Sequence, residues 1–214
     1  MTTYSVDLSQ YIADIFARHD PSLERAFKDT PKRGLPAINI RPEEGRFLQF
    51  LVRTCGAKNA VEVGTLGGYS GIWIARGLLP GGKLYTLEKD SHHAQVAREH
   101  FEAAGLGDSV EVLVGNGHQL LSELAPQGPF DFLFIDAEKS GYDQYFNWGL
   151  ENVRAGGVIA AHNAFRGGRV LNPSASDESV ALVDALNRRA AKHPDLIATI
   201  FPAGDGTLIA VKTG

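Results

Sequence analysis

From residue 60 onward, short runs of apolar and β-branched residues alternate with longer stretches in which apolar positions recur every three to four residues. The runs at 60–63, 83–87, 109–114, 131–135 and 157–161 predict strands. The stretches 69–79, 91–104, 117–124 and 142–153 predict helices, most of them closed by Gly or Pro. Strands apolar on both faces and joined by helices belong in a mostly parallel sheet, because right-handed crossovers lay the helices over each face. The last runs, 196–201 and 207–212, are separated by Pro202-Ala203-Gly204-Asp205-Gly206, a link short enough for an antiparallel hairpin that ends the sheet. Ahead of the first strand, helices are expected near 8–18 and 42–54, joined by a Pro- and Gly-containing segment, 30–41, that suits a lid. No repeat and no Ser/Pro-rich linker interrupts the pattern. One domain over 1–214 is expected, with the N-terminal helices and lid in 1–55 and the α/β core in 56–214.

Composition narrows the class. A chain of 214 residues has room for a real core. Lys+Arg of 21 against Asp+Glu of 25 gives a net charge of −4, which argues against a nucleic-acid partner. Hydrophobic residues at 43% and charged residues at 21% exclude wholesale disorder and a collagen-like chain. Cys55 is the single cysteine, so it forms no internal disulfide and no Cys-rich zinc site, which suits a reducing cytoplasm. No cationic leader precedes an apolar run, and no run reaches the ~18–20 residues that span a bilayer. A soluble, cytoplasmic protein without a membrane partner is expected.

The first strand runs into Val61-Glu62-Val63-Gly64-Thr65-Leu66-Gly67-Gly68-Tyr69-Ser70, and a helix follows. Glycines after a parallel strand allow a tight turn and close approach of a ligand, and the helix N-terminus adds unpaired N–H groups. A pyrophosphate-binding dinucleotide turn is spaced G-x-G-x-x-G, whereas this one is G-x-x-G-G, which suits a nucleoside-like ligand without a phosphate. Glu88, at the end of the second strand, is placed to accept both hydroxyls of a ribose.

With these residues in view, the chain resembles the class I S-adenosylmethionine-dependent O-methyltransferases, specifically the cation-dependent group of catechol and caffeoyl-coenzyme A O-methyltransferases. The likeness runs from Ile38-Asn39-Ile40-Arg41-Pro42-Glu43-Glu44-Gly45 through the Gly64–Ser70 turn and Glu88. It continues through 130–139 and Gly156-Gly157 to His162-Asn163-Ala164-Phe165-Arg166-Gly167-Gly168-Arg169-Val170. The resemblance implies a Rossmann-like seven-stranded sheet with its last strand antiparallel and helices on both faces, and a homodimer. It implies that S-adenosylmethionine lies with its methionine part near Glu62, Gly64 and Ser70, its ribose on Glu88 and its adenine against Asn116 and Gly117. It adds Ile40, Thr65, Gly68, Tyr69 and Asp136 to the cofactor's surroundings. Asn116-Gly117 is also readable as a plain turn, and Tyr69 as a packing residue at a helix start.

The resemblance also implies an acceptor end. The family holds a divalent cation on Asp, Asp and Asn, which here are Asp136, His162 and Asn163. His162 is the departure. An imidazole in place of a carboxylate disfavours Mg²⁺ and suits Mn²⁺, Fe²⁺, Co²⁺, Ni²⁺ or Zn²⁺. Three readings of His162 stand open: a ligand in a transition-metal site, a general base without metal, or a structural histidine. Lys139, at the D-x-x-K spacing of the family's catalytic lysine, is either the base that takes the acceptor's proton or a solvated surface residue. Arg166, Lys32 and Arg33 either meet an anionic acceptor or face water, and His92-His93 is expected at the surface. The implied activity is methyl transfer to a hydroxyl of a small catechol-like aromatic. The alternatives are a tRNA hydroxyuridine O-methyltransferase and a non-catalytic S-adenosylmethionine-binding protein.

Overall fold

In the computed structural model, which describes residues 4–172 and 177–214, the apolar runs form seven strands. They are β1 (Asn59–Val63), β2 (Lys83–Glu88), β3 (Val110–Val114), β4 (Phe130–Ile135), β5 (Val153–His162), β6 (Leu196–Phe201) and β7 (Thr207–Lys212). The sheet order is β3-β2-β1-β4-β5-β7-β6. The first five strands are mutually parallel, and β7 runs antiparallel to both β5 and β6. This is the Rossmann-like architecture expected. β5 begins earlier than the sequence predicts, because Val153 already pairs with Phe130 across a break in register.

Eight helices accompany the strands among the described residues: α1 (Val6–Phe16), α2 (Pro21–Lys32), α3 (Pro42–Thr54), α4 (Tyr69–Gly77), α5 (Ser91–Ala103), α6 (Gly117–Leu124), α7 (Tyr142–Asn152) and α8 (Glu178–Lys192). Alternation along each strand divides the core in two. Ala60, Leu84, Phe132 and Val158 pack with Ala26, Leu48, Trp73 and Phe101 from α2 to α5. Val61, Leu133 and Ile159 pack with Leu121, Phe146 and Leu186 from α6 to α8. Each fully buried Leu, Ile, Val or Phe among them contributes about 1.5–3 kcal/mol of transfer free energy.

Helices α2 and α8 go beyond the sequence reading. α2 starts at Asp20, whose carboxylate accepts the N–H groups of Ser22 and Leu23 at 3.0 Å, with Pro21 in the first turn. It takes in 30–32, so the non-helical connection is 33–41 rather than 30–41. Its outer end is held by an Arg33–Glu99 ion pair at 2.9 Å. α8 is capped by Asp177 and buries Val180, Val183, Leu186 and Ala190 at helical spacing, filling the crossover between β5 and β6. Among the described residues no helix is long and apolar enough to cross a membrane.

Candidate active site

The carboxyl ends of β1, β2, β4 and β5 open into a cleft of about 770 Å³, walled on the far side by Pro36, Ile38, Asn39 and Ile40. This is the edge at which open α/β sheets bind ligands. The proposed lid segment therefore forms one wall. At the floor, the turn after β1 passes so close to the end of β4 that a Cβ on Gly64 would lie 2.1 Å from the Asp136 carbonyl oxygen. Gly64 also has φ +101, so both conformation and contact require glycine there.

The expected cofactor residues divide into two groups. Ile40, Gly64, Thr65, Tyr69, Ser70, Glu88, Asn116, Gly117 and Asp136 all line the cleft. Glu62 and Gly68 do not. Glu62 lies fully buried below the turn, accepting hydrogen bonds from Ser70 Oγ at 2.6 Å and Thr86 Oγ1 at 2.7 Å. Burial pushes its carboxyl up to about 7, outweighing those two bonds. It braces Ser70 from behind. Gly68 caps α4 with φ +82 and faces Phe101 and Ala97 of α5, so it serves helix packing. Glu88 is buried with its oxygens on the N–H groups of Leu66, 2.8 Å, and Asp90, 3.0 Å, and it borders the open cleft. The Asn116 side chain caps α6 through the N–H groups of His118 and Gln119, so the turn reading describes its oxygen. Tyr69 combines both readings: it is buried, hydrogen-bonded to His19 Nε2 at 2.7 Å, and in the cleft wall. His93, expected at the surface, lines the cleft 3.7 Å from Glu88. Its neighbour His92 bonds the Arg33 carbonyl at 2.9 Å, and Lys32 and Arg33 are turned to Asp29 and Glu99 rather than to the cleft.

At the other end, β4 and β5 bring Asp136, Lys139, His162, Asn163 and Arg166 into one wall. The Lys139 ammonium lies 3.6 Å from Asp136 Oδ1 and donates to the Ala137 carbonyl at 3.0 Å and to the Tyr142 hydroxyl. Tyr142 in turn donates to the His162 carbonyl at 3.1 Å. Burial pulls the Lys139 pKa below the ordinary lysine value, against the attraction of Asp136. This lysine is not a solvated surface residue: only 12% of its side chain is exposed. Arg166, at φ +49, donates to Ser179 Oγ at 2.9 Å, and its buried Nε has no hydrogen-bond partner among the described residues.

His162 is held from both sides. Nδ1 is 3.2 Å from Asp136 Oδ2, and Nε2 is 2.9 Å from Glu44 Oε1 on α3. Burial works to lower the imidazole pKa, but Asp136 and Glu44 together raise it to about 10. The same contact, with Lys139, holds Asp136 below the usual carboxylate range in spite of burial. As arranged, neither ring nitrogen offers a lone pair to a cation or to an acceptor's proton. The donor set does not fit the divalent cation implied by the resemblance: the two oxygens of Asp136 face His162 and Lys139, and Glu44 and Asp136 bind opposite edges of one ring. Among the described residues no three His, Cys, Asp or Glu side chains form a cation's ligand set. Sequence reading assigned no role to Glu44 or Tyr142. The signal for Glu44 was its place three residues after Arg41 and two after Pro42, a helix-start position at which a Glu reaches back to the cap.

A model of an O-methyltransferase family matches residues 13–213. The chain is similar to a catechol O-methyltransferase of Niastella koreensis, 40% identical over 199 residues that cover 92% of this chain and 89% of that protein. A catechol O-methyltransferase of Mycobacterium tuberculosis is 39% identical over 193 residues, 90% of this chain and 87% of the other. Among solved structures, the O-methyltransferase from Bacillus cereus in complex with S-adenosylhomocysteine superposes with a TM-score of 0.90 at 38% identity, covering 97% of each chain.

Proposed function

Since the chain belongs to the family of S-adenosylmethionine-dependent O-methyltransferases, we propose that it transfers the cofactor's methyl group to a hydroxyl of a small, catechol-like aromatic. The observation that carries this reading is one cleft with two chemically distinct ends. Ser70 and Glu88 border one end, and a buried, depressed-pKa Lys139 stands at the other. The names of the two similar catechol O-methyltransferases support the acceptor class.

The chemistry asks for alignment and a base. S-adenosylmethionine already carries its methyl on a positive sulfur, so the chain must hold the acceptor oxygen, methyl carbon and sulfur in line. The acceptor's O–H proton passes to the neutral Lys139 Nζ, the oxygen forms its bond to the methyl carbon, and the C–S pair leaves with S-adenosylhomocysteine. Tyr142 and the Ala137 carbonyl fix the amine while this happens. Burial of Lys139 supplies the neutral amine at lower pH than a surface lysine would. Arg166, with its unpaired Nε, favours an acceptor that carries an anionic group.

Calorimetry and a product assay test the reading. S-adenosylhomocysteine is expected to bind in the micromolar range and NAD not at all, and a vicinal diphenol is expected to yield a monomethyl ether. Binding of S-adenosylhomocysteine without product on any phenol would leave a cofactor-binding protein and end the enzymatic reading.

A further inference from the structure

We propose that a buried His162–Glu44 ion pair occupies the place of the cation in this chain, so that methyl transfer proceeds without a divalent metal, with Glu44 as the positioning residue of the pair. This rests on the methyltransferase reading above and concerns how its acceptor end is charged.

Glu44 is not a stray neighbour. Its second oxygen accepts the Arg41 N–H at 2.9 Å, which fixes the carboxylate at the start of α3. Its side chain is buried, and the β6–β7 turn closes over it: a Cβ on Gly204 would lie 2.3–2.5 Å from the carboxylate atoms. The group therefore has nowhere else to go. A buried carboxylate needs a paired cation, and His162 Nε2, at 2.9 Å, supplies it. Removing the partner of a buried charge is what such a pair resists most.

The charges around the acceptor then close without a metal. Glu44 and Asp136 contribute two negative charges and His162, between them, one positive charge; Lys139 adds the second positive charge as it takes up the acceptor's proton. A divalent ion would have to displace Asp136 or Glu44 from the edge of the His162 ring that each one occupies. Had the sequence carried Asp in place of His162, Glu44, Asp136 and that third carboxylate would crowd one wall, and a cation would be needed to hold them together. The substitution of one residue removes the need. A chelating ion is also what makes two adjacent oxygens on an acceptor useful. Without it, one hydroxyl suffices, and a monophenol of the same shape becomes an acceptor.

Two measurements on the full chain test this. The first is the initial rate on a vicinal diphenol after exhaustive dialysis against a chelator, then with Mg²⁺, Mn²⁺, Co²⁺, Ni²⁺ or Zn²⁺ returned. The rate is expected to stay within about twofold throughout, with a matched monophenol turned over within about tenfold of the diphenol. A loss of more than about tenfold on chelation, restored by a metal, would overturn the proposal. The second is Mn²⁺ titration by calorimetry with S-adenosylhomocysteine present, which needs no turnover. The native chain is expected to show no micromolar site and His162→Asp to show one. Tight Mn²⁺ binding by the native chain that His162→Ala abolishes would overturn it. Glu44→Gln is expected to lower kcat about tenfold while S-adenosylhomocysteine affinity moves less than twofold, and retention of native kcat would remove Glu44 from the account. If no phenol is methylated with or without metal, the proposed function fails, and the Mn²⁺ titration still decides the ion pair.

Discussion

Glu88 offers the sharpest reading of the cofactor end. Its two oxygens each hold a backbone N–H, Leu66 at 2.8 Å and Asp90 at 3.0 Å, and the carboxylate is 7% exposed at the cleft. Those bonds fix the carboxylate while leaving lone pairs for two ribose hydroxyls, since an ionised carboxylate offers about four acceptor sites. Hydrogen bonds to a charged group contribute about 1.5–3 kcal/mol net. Two hydroxyls sharing one carboxylate that is already engaged should fall at or below that range, so Glu88→Ala is expected to cost about 1–3 kcal/mol of cofactor affinity, or roughly 5- to 150-fold in Kd. The same change strips acceptors from Leu66 and Asp90 and should lower the melting temperature. Glu88→Gln separates the two effects, because its amide oxygen still serves Leu66 while the negative charge is gone. It is expected to keep more of the melting temperature than Glu88→Ala while losing several-fold in affinity. Calorimetry with S-adenosylhomocysteine, adenosine and adenine reads the cause: the first two should weaken alike, and adenine, which has no ribose, should not. Unchanged affinity for S-adenosylhomocysteine in Glu88→Ala, or an equal loss for adenine, would refute the ribose assignment.

Lys139→Met should reduce kcat by about 10²–10⁴-fold with little change in S-adenosylhomocysteine affinity, as expected for loss of a general base. The native kcat should rise with pH as the Lys139 ammonium loses its proton, at a pH below the ordinary lysine value of about 10.4 because burial lowers its pKa; steady-state pH profiles of both proteins check this. Glu62 is raised from 4.5 to about 7, so its contribution to stability is full below its unfolded pKa and is lost as pH rises through about 7. Glu62→Gln, which removes that titration, should therefore gain stability over the native protein at pH 8, by up to about 3 kcal/mol, and no such gain at pH 4, as read by denaturant unfolding at the two values. Arg166→Ala should raise KM for a carboxylated phenol more than for an uncharged one, and equal effects on the two would return Arg166 to a role in holding α8 through Ser179.

Much of the sheet is legible because its strands are apolar on both faces and each is followed by turn residues. Asp136 and His162 stand out for the same reason: they follow or end such runs, at the edge where the sheet binds ligands. The alternation that reveals a strand also explains the misplacement of Glu62. It shares a face with Ala60, toward α4 and α5, whereas Val61 and Val63 face α6 and α7. Its position beside the glycine turn suggested contact with the cofactor, but its side chain leaves on the far side. The segment that forms α2 carries proline near both ends, which argues against a helix when its bounds are not known. Yet Pro21 sits where a helix needs no N–H, and Pro31 falls in the last turn. Glu44 was out of reach for a different reason. Its partner lies 118 residues away, and local rules explain only its capping of Arg41. That contact is made when α3 docks beside the β6–β7 turn, a tertiary event with no local trace in sequence.

The central claim is methyl transfer from S-adenosylmethionine to an aromatic oxygen, and a labelled methyl group tests it most directly. The purified chain is incubated with S-adenosylmethionine carrying a deuterated methyl and a vicinal diphenol, and the products are separated and read by mass spectrometry. The account predicts a monomethyl ether with the intact deuterated methyl on oxygen, formed in equal amount with S-adenosylhomocysteine and lost in Lys139→Met. Cofactor binding with no labelled ether, or label found on carbon or nitrogen of the acceptor instead, would contradict it.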